Sequence, residues 1–434
     1  MNRFRLICPG LMAICLAIFL CLSACSQPLI NSNGDDSSKS ANSNFEIRDS
    51  ASSAKNISGS ILLWHDLDVN TAEIRRTINT YRQINPNVNI VVEQIPKREL
   101  IKRFFRQFRA GLAPNLLLID YDFMSKLIQA QTLVSIDPKS IDLRNILPSA
   151  LAQVTYQNKI YGLPGAVITQ VLCYNKNRVN DSQVPEKLED LVSRAAAGYS
   201  IGIPSSFEET FWGIQLFGSE VFDAQGNFVL KRGSWGAWMT WLQSLKTQPK
   251  IILSSSVNAL NQSFKGGHLD YLVCDSTSIP DLKKALKNNN LGVTVLPAHG
   301  QNLAGPILYT KVLAITNSFS PRQTAIALDF ARFVTNKEQQ KQRAMDLGAF
   351  ILPDKTVILD KRLFPIEAIL EQQARSAVGI PLDHISKAEI VFPIAESLYE
   401  QILTGAISPQ EGGIELLKLV HQSSKKTQSS KKTQ

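Results

Sequence analysis

Between residues 60 and 120, hydrophobic positions form two kinds of pattern: short continuous runs, and segments in which they recur at helical spacing. Short apolar runs at 60–64, 88–95 and 115–120 predict strands, and the segments after the first two carry apolar residues at helical spacing. Strands that alternate with helices predict an open, largely parallel α/β sheet with ligand groups at the strand carboxyl ends. The apolar helical positions are Ile74, Ile78 and Tyr81 in the first helix and Leu100, Ile101, Phe104, Phe105 and Phe108 in the second.

The segment 160–177 predicts a long strand that is entered through a bend. Gly162 and Pro164 disfavour a helix, and the run after them is apolar and β-branched. Such a strand carries the backbone from one lobe into another, or it is an internal strand of a single domain. Further along, Trp235, Trp238 and Trp241 have the spacing of a helix-packing stripe.

Length and charge bound the class of protein. A chain of 434 residues is too long for one ordinary core and predicts two domains or lobes, and 44% hydrophobic residues are typical of a globular protein. The net charge is +9, but no nucleic-acid motif accompanies it and the basic residues are scattered. We therefore interpret the charge as a solvated surface and expect no nucleic-acid partner.

The N-terminus predicts export and a lipid anchor. Arg3 and Arg5 precede an apolar run, 11–22, that is too short for a typical membrane span. Leu22-Ser23-Ala24-Cys25 resembles a bacterial lipobox, which implies a signal peptide over 1–24 and acylation, as with palmitate, of Cys25. The protein is then lipid-anchored to the cell membrane and faces the periplasm or the cell exterior.

Both ends of the mature chain are polar. Residues 25–58 are rich in Ser, Asn and Asp and predict a flexible tether. Residues 423–434 repeat SSKKTQ and predict a disordered basic tail, with contact to an anionic membrane surface as the alternative. Only Cys173 and Cys274 remain in the mature fold, as a disulfide or as two buried thiols.

A series of segments carries a family resemblance. They are WHD at 64–66, YRQINPNVNIVVE at 81–93, FRAGLAPNLLLID at 108–120, YGLP to YNKN across 161–177, FWG at 211–213, SFKGG at 263–267, LGVTVLP at 291–297 and LDFARFVTN at 328–336. In this order they resemble the extracellular solute-binding proteins of ABC importers, in the branch that includes maltose- and other sugar-binding proteins. The resemblance covers about residues 60–420.

The resemblance implies an α/β, two-lobed periplasmic-binding-protein fold (type II). Each lobe is an open, mostly parallel sheet flanked by helices, with the ligand cleft between the lobes. Lobe one is expected at 59–164 plus 308–357, and lobe two at 165–307 plus 358–422. The chain crosses first in the segment 160–177 and again near 305–307. We expect a monomer whose hinge closes over the ligand.

Strand ends and family positions together indicate the ligand site. A sugar or polyol needs carboxylates and amides for its hydroxyls and aromatic faces for its C–H surfaces. Four of the candidates have a structural role as the alternative to ligand contact. Trp64 and Trp212 could instead lie in a core, Asp120 could cap a helix, and His65 could form a local hydrogen bond. The candidates are Trp64, His65, Asp66, Asp120, Tyr121 and Asp122 in lobe one, Glu208, Trp212, Asp275 and Ser276 in lobe two, and Tyr309 and Phe392.

One departure from the family narrows the ligand. Many sugar binders carry a glycine and a tryptophan where this chain has the segment 274–278, CDSTS. The missing stacking ring favours a small sugar, a glycoside or a related polyol over a long oligosaccharide.

The resemblance implies a substrate-binding lipoprotein that delivers its solute to ABC permease subunits, with no cofactor and no metal. A lipoprotein of the same fold that feeds a sensor or binds a protein is the alternative. Carboxylate pairs such as Asp120/Asp122 and Glu208/Glu209 could be interpreted as the acid and base of a glycosidase. Such pairs are frequent by chance, and their sequence spacing does not give the separation that glycoside hydrolysis requires. There is no Gly-x-Ser-x-Gly, Walker loop or CxxC, and the histidines lack metal-ligand spacing, so we expect no enzyme.

Overall fold

Two β-sheets with helices packed on them organise the chain, and we call them the lobe-one and lobe-two sheets. The structure is a computed structural model, and it describes residues 46–47, 57–66, 71–218, 234–287, 289–317, 320–347 and 351–431. The predicted signal peptide, Cys25 and nearly all of the predicted tether lie outside the described residues. The described residues from Glu46 onward belong to one compact unit.

Strands and helices alternate through most of the chain. The strands are β1 (Glu46–Ile47), β2 (Gly59–His65), β3 (Val88–Gln94), β4 (Leu116–Asp120), β5 (Ser135–Ile136), β6 (Thr155–Tyr156), β7 (Lys159–Ile160), β8 (Leu163–Ile168), β9 (Gln170–Asn175), β10 (Ile201–Pro204), β11 (Ile251–Ser254), β12 (Tyr271–Asp275), β13 (Leu291–Thr294), β14 (Ile307–Ile315) and β15 (Val378–Gly379). The helices are α1 (Thr71–Ile84), α2 (Lys97–Arg109), α3 (Met124–Gln129), α4 (Pro148–Ala152), α5 (Leu188–Ala196), α6 (Ser234–Leu245), α7 (Val257–Lys265), α8 (Ile279–Ala285), α9 (Pro321–Thr335), α10 (Lys337–Leu347), α11 (Pro365–Ser376), α12 (Ile385–Thr404) and α13 (Pro409–Lys431).

The lobe-one sheet has the order β15-β14-β4-β2-β3, and β8 also pairs with β14. Strands β2, β3 and β4 are parallel, as predicted for strands joined through helices, whereas β14 runs antiparallel to β4 and β8. Helix α2 buries Leu100 and Phe104, one turn apart, and its arginines lie on the other positions. A small sheet of β1, β5, β7 and β6 completes this part of the chain.

The lobe-two sheet has the order β11-β10-β12-β9-β13. Strand β10 is parallel to β11 and β12, and β9 is antiparallel to β12 and β13. Both sheets are therefore mixed, because the strands that arrive from the other lobe run against the strands already there. The tryptophan stripe lies on α6, where Trp235 and Trp238 are buried in the lobe-two core as predicted.

The chain passes between the sheets at Thr169 and again at the start of β14. Strand β8 pairs with β14 in the lobe-one sheet, and β9 pairs with β12 in the lobe-two sheet. The Thr169 hydroxyl donates to the Ile307 carbonyl at 3.0 Å and so joins the two crossings. Residues 165–168, which the sequence assigned to lobe two, lie in the lobe-one sheet because the hydrogen-bonded ladder with β14 continues past Gly165.

A third crossing lies within helix α12. Ile385 and Ala388 in its first turns belong to the lobe-one core, and Leu398 and Ile402 belong to the lobe-two core. Pro393 lies between these halves. The sequence assigned all of 358–422 to lobe two, but β15 pairs with β14 and the first half of α12 packs on lobe one. The apolar pattern of a helix does not reveal that its two ends face different cores.

The C-terminus differs from the predicted disordered tail. Helix α13 continues to Lys431 and so includes most of the segment 423–434, while residues 432–434 lie outside the described residues. Lysine and glutamine are good helix formers, and an existing helix gains one hydrogen bond for each residue added. The repeat therefore extends a helix that the apolar residues before it have already nucleated.

Candidate functional site

A network of two carboxylates and two lysines lies at the carboxyl ends of the lobe-one strands. Lys311 Nζ on β14 lies 3.1 Å from Asp66 Oδ1 and 2.6 Å from Asp120 Oδ1. Lys97 Nζ, in the first turn of α2, lies 2.7 Å from Asp120 Oδ2. Asp66, Asp120 and Lys311 are 6%, 7% and 9% exposed, so water screens the two ion pairs of Lys311 only weakly.

The charges of this network set its protonation. Burial raises the pKa of Asp66, although Lys311 opposes the shift. Burial acts in the same direction on Asp120, but the ammonium groups of Lys311 and Lys97 outweigh it and hold its pKa below the usual range. Burial disfavours charge on Lys97, yet the neighbouring Asp120 and Asp122 raise its pKa. The two lysines thus oppose the effect of burial on both carboxyl groups, and this opposition outweighs burial at Asp120 but not at Asp66.

Two tyrosines and Asp122 extend this wall toward lobe two. Tyr121 is fully buried, and its ring centroid lies 6.1 Å from that of Tyr309. Burial raises the pKa of Tyr121 well above its usual value, so its hydroxyl stays protonated. Asp122 follows in the same 3₁₀ turn, and burial together with Asp120 raises its pKa despite Lys97. One Asp122 carboxylate oxygen, Oδ1, is buried without a hydrogen-bond partner among the described residues.

The lobe-two wall carries carboxyl groups that bond to neutral donors. The Tyr309 hydroxyl donates to Glu208 Oε1 and thereby joins the two lobes. The Gln170 amide, at the first residue of β9, donates to Glu209 Oε2. Asp275 Oδ1, at the end of β12, accepts from the Thr277 amide at 2.8 Å and from the Thr277 hydroxyl at 2.6 Å.

Within the described ranges, no lysine or arginine forms an ion pair with these lobe-two carboxyl groups as Lys311 does with Asp120. Burial raises the pKa of Glu209 to about 7, and the negative charges of Asp275 and Glu208 add to the shift. Partial burial raises the pKa of Glu208, and the negative charge of Asp122 adds to the shift. Burial also raises the pKa of Asp275. This wall can therefore donate as well as accept hydrogen bonds near neutral pH.

Four of the predicted site residues are buried almost completely, and a fifth is half-buried between the two cores. Trp64 is 1% exposed in the lobe-one core, with the Arg103 guanidinium 4.7 Å from its ring. Trp212 is fully buried against Trp238, with ring centroids 4.9 Å apart. His65 is also fully buried. Contact of these three side chains with a ligand stays a prediction.

Ser276 and Phe392 are the other two. Ser276 is fully buried, and its hydroxyl and amide both bond to the backbone of Thr169, so it holds the first crossing. Phe392 is half-buried on α12, with ring centroids 5.5 Å from Phe207 and 6.1 Å from Phe211. It lies between the two cores at the third crossing.

Sequence reasoning missed Lys97, Lys311 and Gln170. Lys311 carries a signal, since it is the one charged residue in the buried strand ILYTKVLAI, and a buried charge requires a partner. Lys97 comes three residues after the carboxyl end of β3, so the strand-end rule that selected Asp120 also applies to it. Gln170 lies inside the predicted strand, and nothing in its pattern distinguishes it from its neighbours.

The two mature cysteines form a disulfide between β9 and β12. Cys173 and Cys274 are 0% and 2% exposed and lie in adjacent strands of the lobe-two sheet. Of the two states that the sequence allowed, a disulfide or two buried thiols, the structure has the disulfide. It links the strands whose cleft ends carry Gln170 and Asp275.

The described residues contain no group of three or more His, Cys, Asp or Glu side chains arranged to hold a metal ion. Within the same residues no helix has both the length and the apolar character needed to cross a membrane.

Comparison with known proteins agrees with this architecture. The chain is 20% identical over 423 residues to the galactooligosaccharide-binding protein of Bacillus subtilis (strain 168), covering 92% of this chain and 93% of that protein. The GacH receptor of Streptomyces glaucescens GLA.O, solved unliganded and with acarbose, has a TM-score of 0.72 at 19% identity over 84% of this chain and 99% of its own. A cyclo/maltodextrin-binding protein solved with maltotetraose has a TM-score of 0.72 at 19% identity over 85% of this chain and 98% of its own.

These likenesses identify the fold as the two-lobed fold of those binding proteins, as predicted. The sequence profile of the bacterial extracellular solute-binding proteins matches residues 77–361, about two thirds of the chain. The chain belongs to the family of bacterial extracellular solute-binding proteins.

Proposed function

We propose that this protein is the substrate-binding lipoprotein of an ABC importer and captures a carbohydrate or related polyhydroxy solute between its lobes. The observation that carries the proposal is the pair of polar walls joined by Tyr309 and Glu208. We assign Asp122 and Tyr309 to the lobe-one side of this space, and Glu209 and Asp275 to the lobe-two side. Carboxyl groups that both accept and donate hydrogen bonds suit sugar hydroxyls, which do the same.

The relatives support this ligand class. The Bacillus subtilis relative is named for galactooligosaccharides, and one structural neighbour was solved with maltotetraose. We propose that the ligand contacts come from the exposed or half-buried members of the two walls. The rings of Trp64 and Trp212 are left out, because each is enclosed in a core.

We further propose that the protein is anchored to the cell membrane and works with membrane partners. Cys25 carries the lipid, residues 1–24 are removed as a signal peptide, and the protein faces the periplasm or the cell exterior as a monomer. The Cys173–Cys274 disulfide supports this location, because disulfides persist outside the reducing cytoplasm. The membrane partners are permease subunits that receive the solute. Presentation of the solute to a sensor is the second candidate, since the lobes alone do not identify the receiver.

A thermal-melt screen of protein starting at Ser26 tests the proposal. The panel holds mono- and disaccharides, maltotriose, galactooligosaccharides, polyols, amino acids and divalent metals. A ligand at a hundred times its dissociation constant stabilises the folded state by about 2.7 kcal/mol, a shift of a few degrees. We expect one sugar class to give this shift.

Variants locate the binding site within the cleft. Asp122→Asn and Asp275→Asn should abolish the sugar shift. Asp142→Asn is the matched control, because Asp142 pairs with Arg144 on the exposed surface. A shift with metals only, or with no member of the panel, would show that the carbohydrate assignment is wrong.

A further inference from the structure

A cavity of about 780 Å³ lies at the outer edge of the lobe-two sheet. It is bordered by β13, by residues 361–369 at the start of α11, and by Tyr174 and Lys176 at the end of β9. Strand β9 begins at the cleft with Gln170, so Tyr174 lies roughly 14 Å along the strand from that wall. The cavity is therefore separate from the interlobe site, and its volume is in the range of small-molecule pockets.

Three lysines from separate elements converge on this cavity. Lys176 follows β9, Lys283 lies on α8 and Lys361 precedes α11, and all three are exposed. In the described part of the chain none of them forms an ion pair, whereas the neighbouring Arg362 is held by Asp360 at 2.8 Å. One acidic residue, Glu367, also lines the cavity, so the lining carries a net positive charge. Like charges gathered around one space repel each other, and an anion would relieve that repulsion.

The wall between the lysines is apolar. Phe364, Ile366 and Val293 line it, and two further side chains are unusually open: Leu363 is 73% exposed and Met345 is 46% exposed. A charged rim around an apolar wall suits a ligand with one anionic end and an apolar body.

Backbone donors add to the positive character of the site. Strand β13 is the last strand of its sheet. The Asn290 carbonyl accepts a hydrogen bond from the Lys176 amide at 2.8 Å, so Asn290 and Lys176 form a hydrogen-bonded pair. In an antiparallel ladder every second residue of a strand bonds to the partner strand. The peptide groups of Leu291 and Val293 therefore point away from β9. Both of these residues line the cavity, so their N–H groups lie on the side of the strand that borders it.

We propose that this cavity binds a small organic anion, a phosphate monoester or a carboxylate with an alkyl or aryl body. The lysines bind the anionic group and the wall around Phe364 and Met345 packs against the apolar body. This site is independent of the solute proposed for the cleft.

Calorimetric titration with decyl phosphate below its micelle concentration tests the proposal, with decanol and inorganic phosphate as partial probes. We expect decyl phosphate to bind one to one and at least about tenfold more tightly than either partial probe, because it alone makes both the charged hydrogen bonds to the lysines and the apolar contacts with the wall. The variant Lys176→Gln/Lys361→Gln should weaken decyl phosphate about tenfold or more and leave decanol unchanged. Lys139→Gln/Lys250→Gln removes two exposed lysines elsewhere and should change nothing.

Methionine methyl resonances locate the bound probe. Met345 borders the cavity, while Met124 and Met239 are fully buried in the two cores. With carbon-13 methyl methionine, decyl phosphate should shift the Met345 signal, assigned by Met345→Leu, and leave the other two in place. A shift of Met124 or Met239 without Met345, or equal affinity for decyl phosphate in the two double-lysine variants, would overturn the proposal.

Vesicles of phosphatidylglycerol distinguish a membrane source of the same headgroup. The non-acylated protein starting at Ser26 should bind monomeric decyl phosphate, and this binding should not depend on whether the protein also sediments with the vesicles. Sedimentation with vesicles that depends on Lys176 and Lys361, with no binding of monomeric decyl phosphate, would show a membrane-contact surface and no ligand cavity.

Discussion

The two walls of the interlobe cleft are built from similar residues but are held in different ways. In lobe one, buried carboxylates meet lysines, so Asp66 and Asp120 are compensated by Lys311 and Lys97. In lobe two, Glu209 accepts a hydrogen bond from the Gln170 amide and Asp275 accepts from Thr277, and a disulfide joins the strands that carry Gln170 and Asp275. The first wall depends on ionisation, and the second depends on a covalent bond and on protonation. This difference predicts distinct responses to mutation, reduction and pH.

The largest effect is expected at Lys311. Lys311→Met leaves Asp66 and Asp120 buried with only Lys97 nearby, and breaking such a pair costs about 3–5 kcal/mol. Urea denaturation should show that loss in the free energy of unfolding. Lys126→Met is the control, because the Lys126–Glu389 pair is 54% and 43% exposed and exposed pairs contribute about 0–1 kcal/mol. Equal losses in the two variants would mean that the lobe-one wall does not depend on its buried charges.

The next effect concerns the disulfide. Cys173 and Cys274 are 101 residues apart in sequence, and removing a bond that closes a loop of this size costs about 2–5 kcal/mol. We expect Cys173→Ala/Cys274→Ala to lower the free energy of unfolding by this amount. Mild reductant should leave the native wild-type protein unchanged, because both cysteines are buried. Unchanged stability in the double variant would show that hydrogen bonds alone hold the lobe-two wall.

The third prediction is a pH dependence with opposite signs in the two walls. The pKa of Glu209 is raised to about 7 from 4.5, so the folded state binds its proton more tightly than the unfolded state does. Stability therefore falls as pH rises from about 4.5 to 7, by at most about 3 kcal/mol. The pKa of Asp120 is lowered, so its contribution is present above its unfolded value and is lost as pH falls through its folded pKa.

Denaturation at several pH values tests these signs. Glu209→Gln should remove most of the decline between pH 5 and 7.5. Glu338→Gln, at an exposed position on α10, should leave the decline as in the wild type. A wild-type protein whose stability rises across this interval would contradict the assignment to Glu209.

Much of the fold was predictable, because parallel strands, their helices and the residues at strand ends leave local patterns. Asp66, Asp120, Tyr121 and Asp122 were found this way, and the structure brings them together. The face on which a strand residue lies was not predictable from the same pattern. Trp64 stands at a strand end too, but it points under α2 toward Arg103.

Partners that are distant in sequence were the other limit. Lys311 and Asp66 are 245 residues apart, and only the sheet order places β14 beside β4. The same holds for the two faces of α12, whereas the pairing of Cys173 with Cys274 was one of two states that the sequence allowed. Sequence periodicity reports how much of an element is buried, but not against which element it packs.

The smallest effect is expected where the two walls meet. Tyr309→Phe removes the hydrogen bond to Glu208, which is exposed at the cleft, so the free energy of unfolding should change by no more than about 1 kcal/mol. The bond joins the lobes, however, and its loss should shift the ligand-free protein toward an open state. Small-angle scattering should then give a larger radius of gyration for the variant, and the sugar affinity should fall a few-fold. Tyr156→Phe, at a half-buried tyrosine outside the cleft, should change neither quantity. Identical scattering from Tyr309→Phe and the wild type would mean that the backbone crossings at Thr169 and Ile307 alone set the spacing of the two walls.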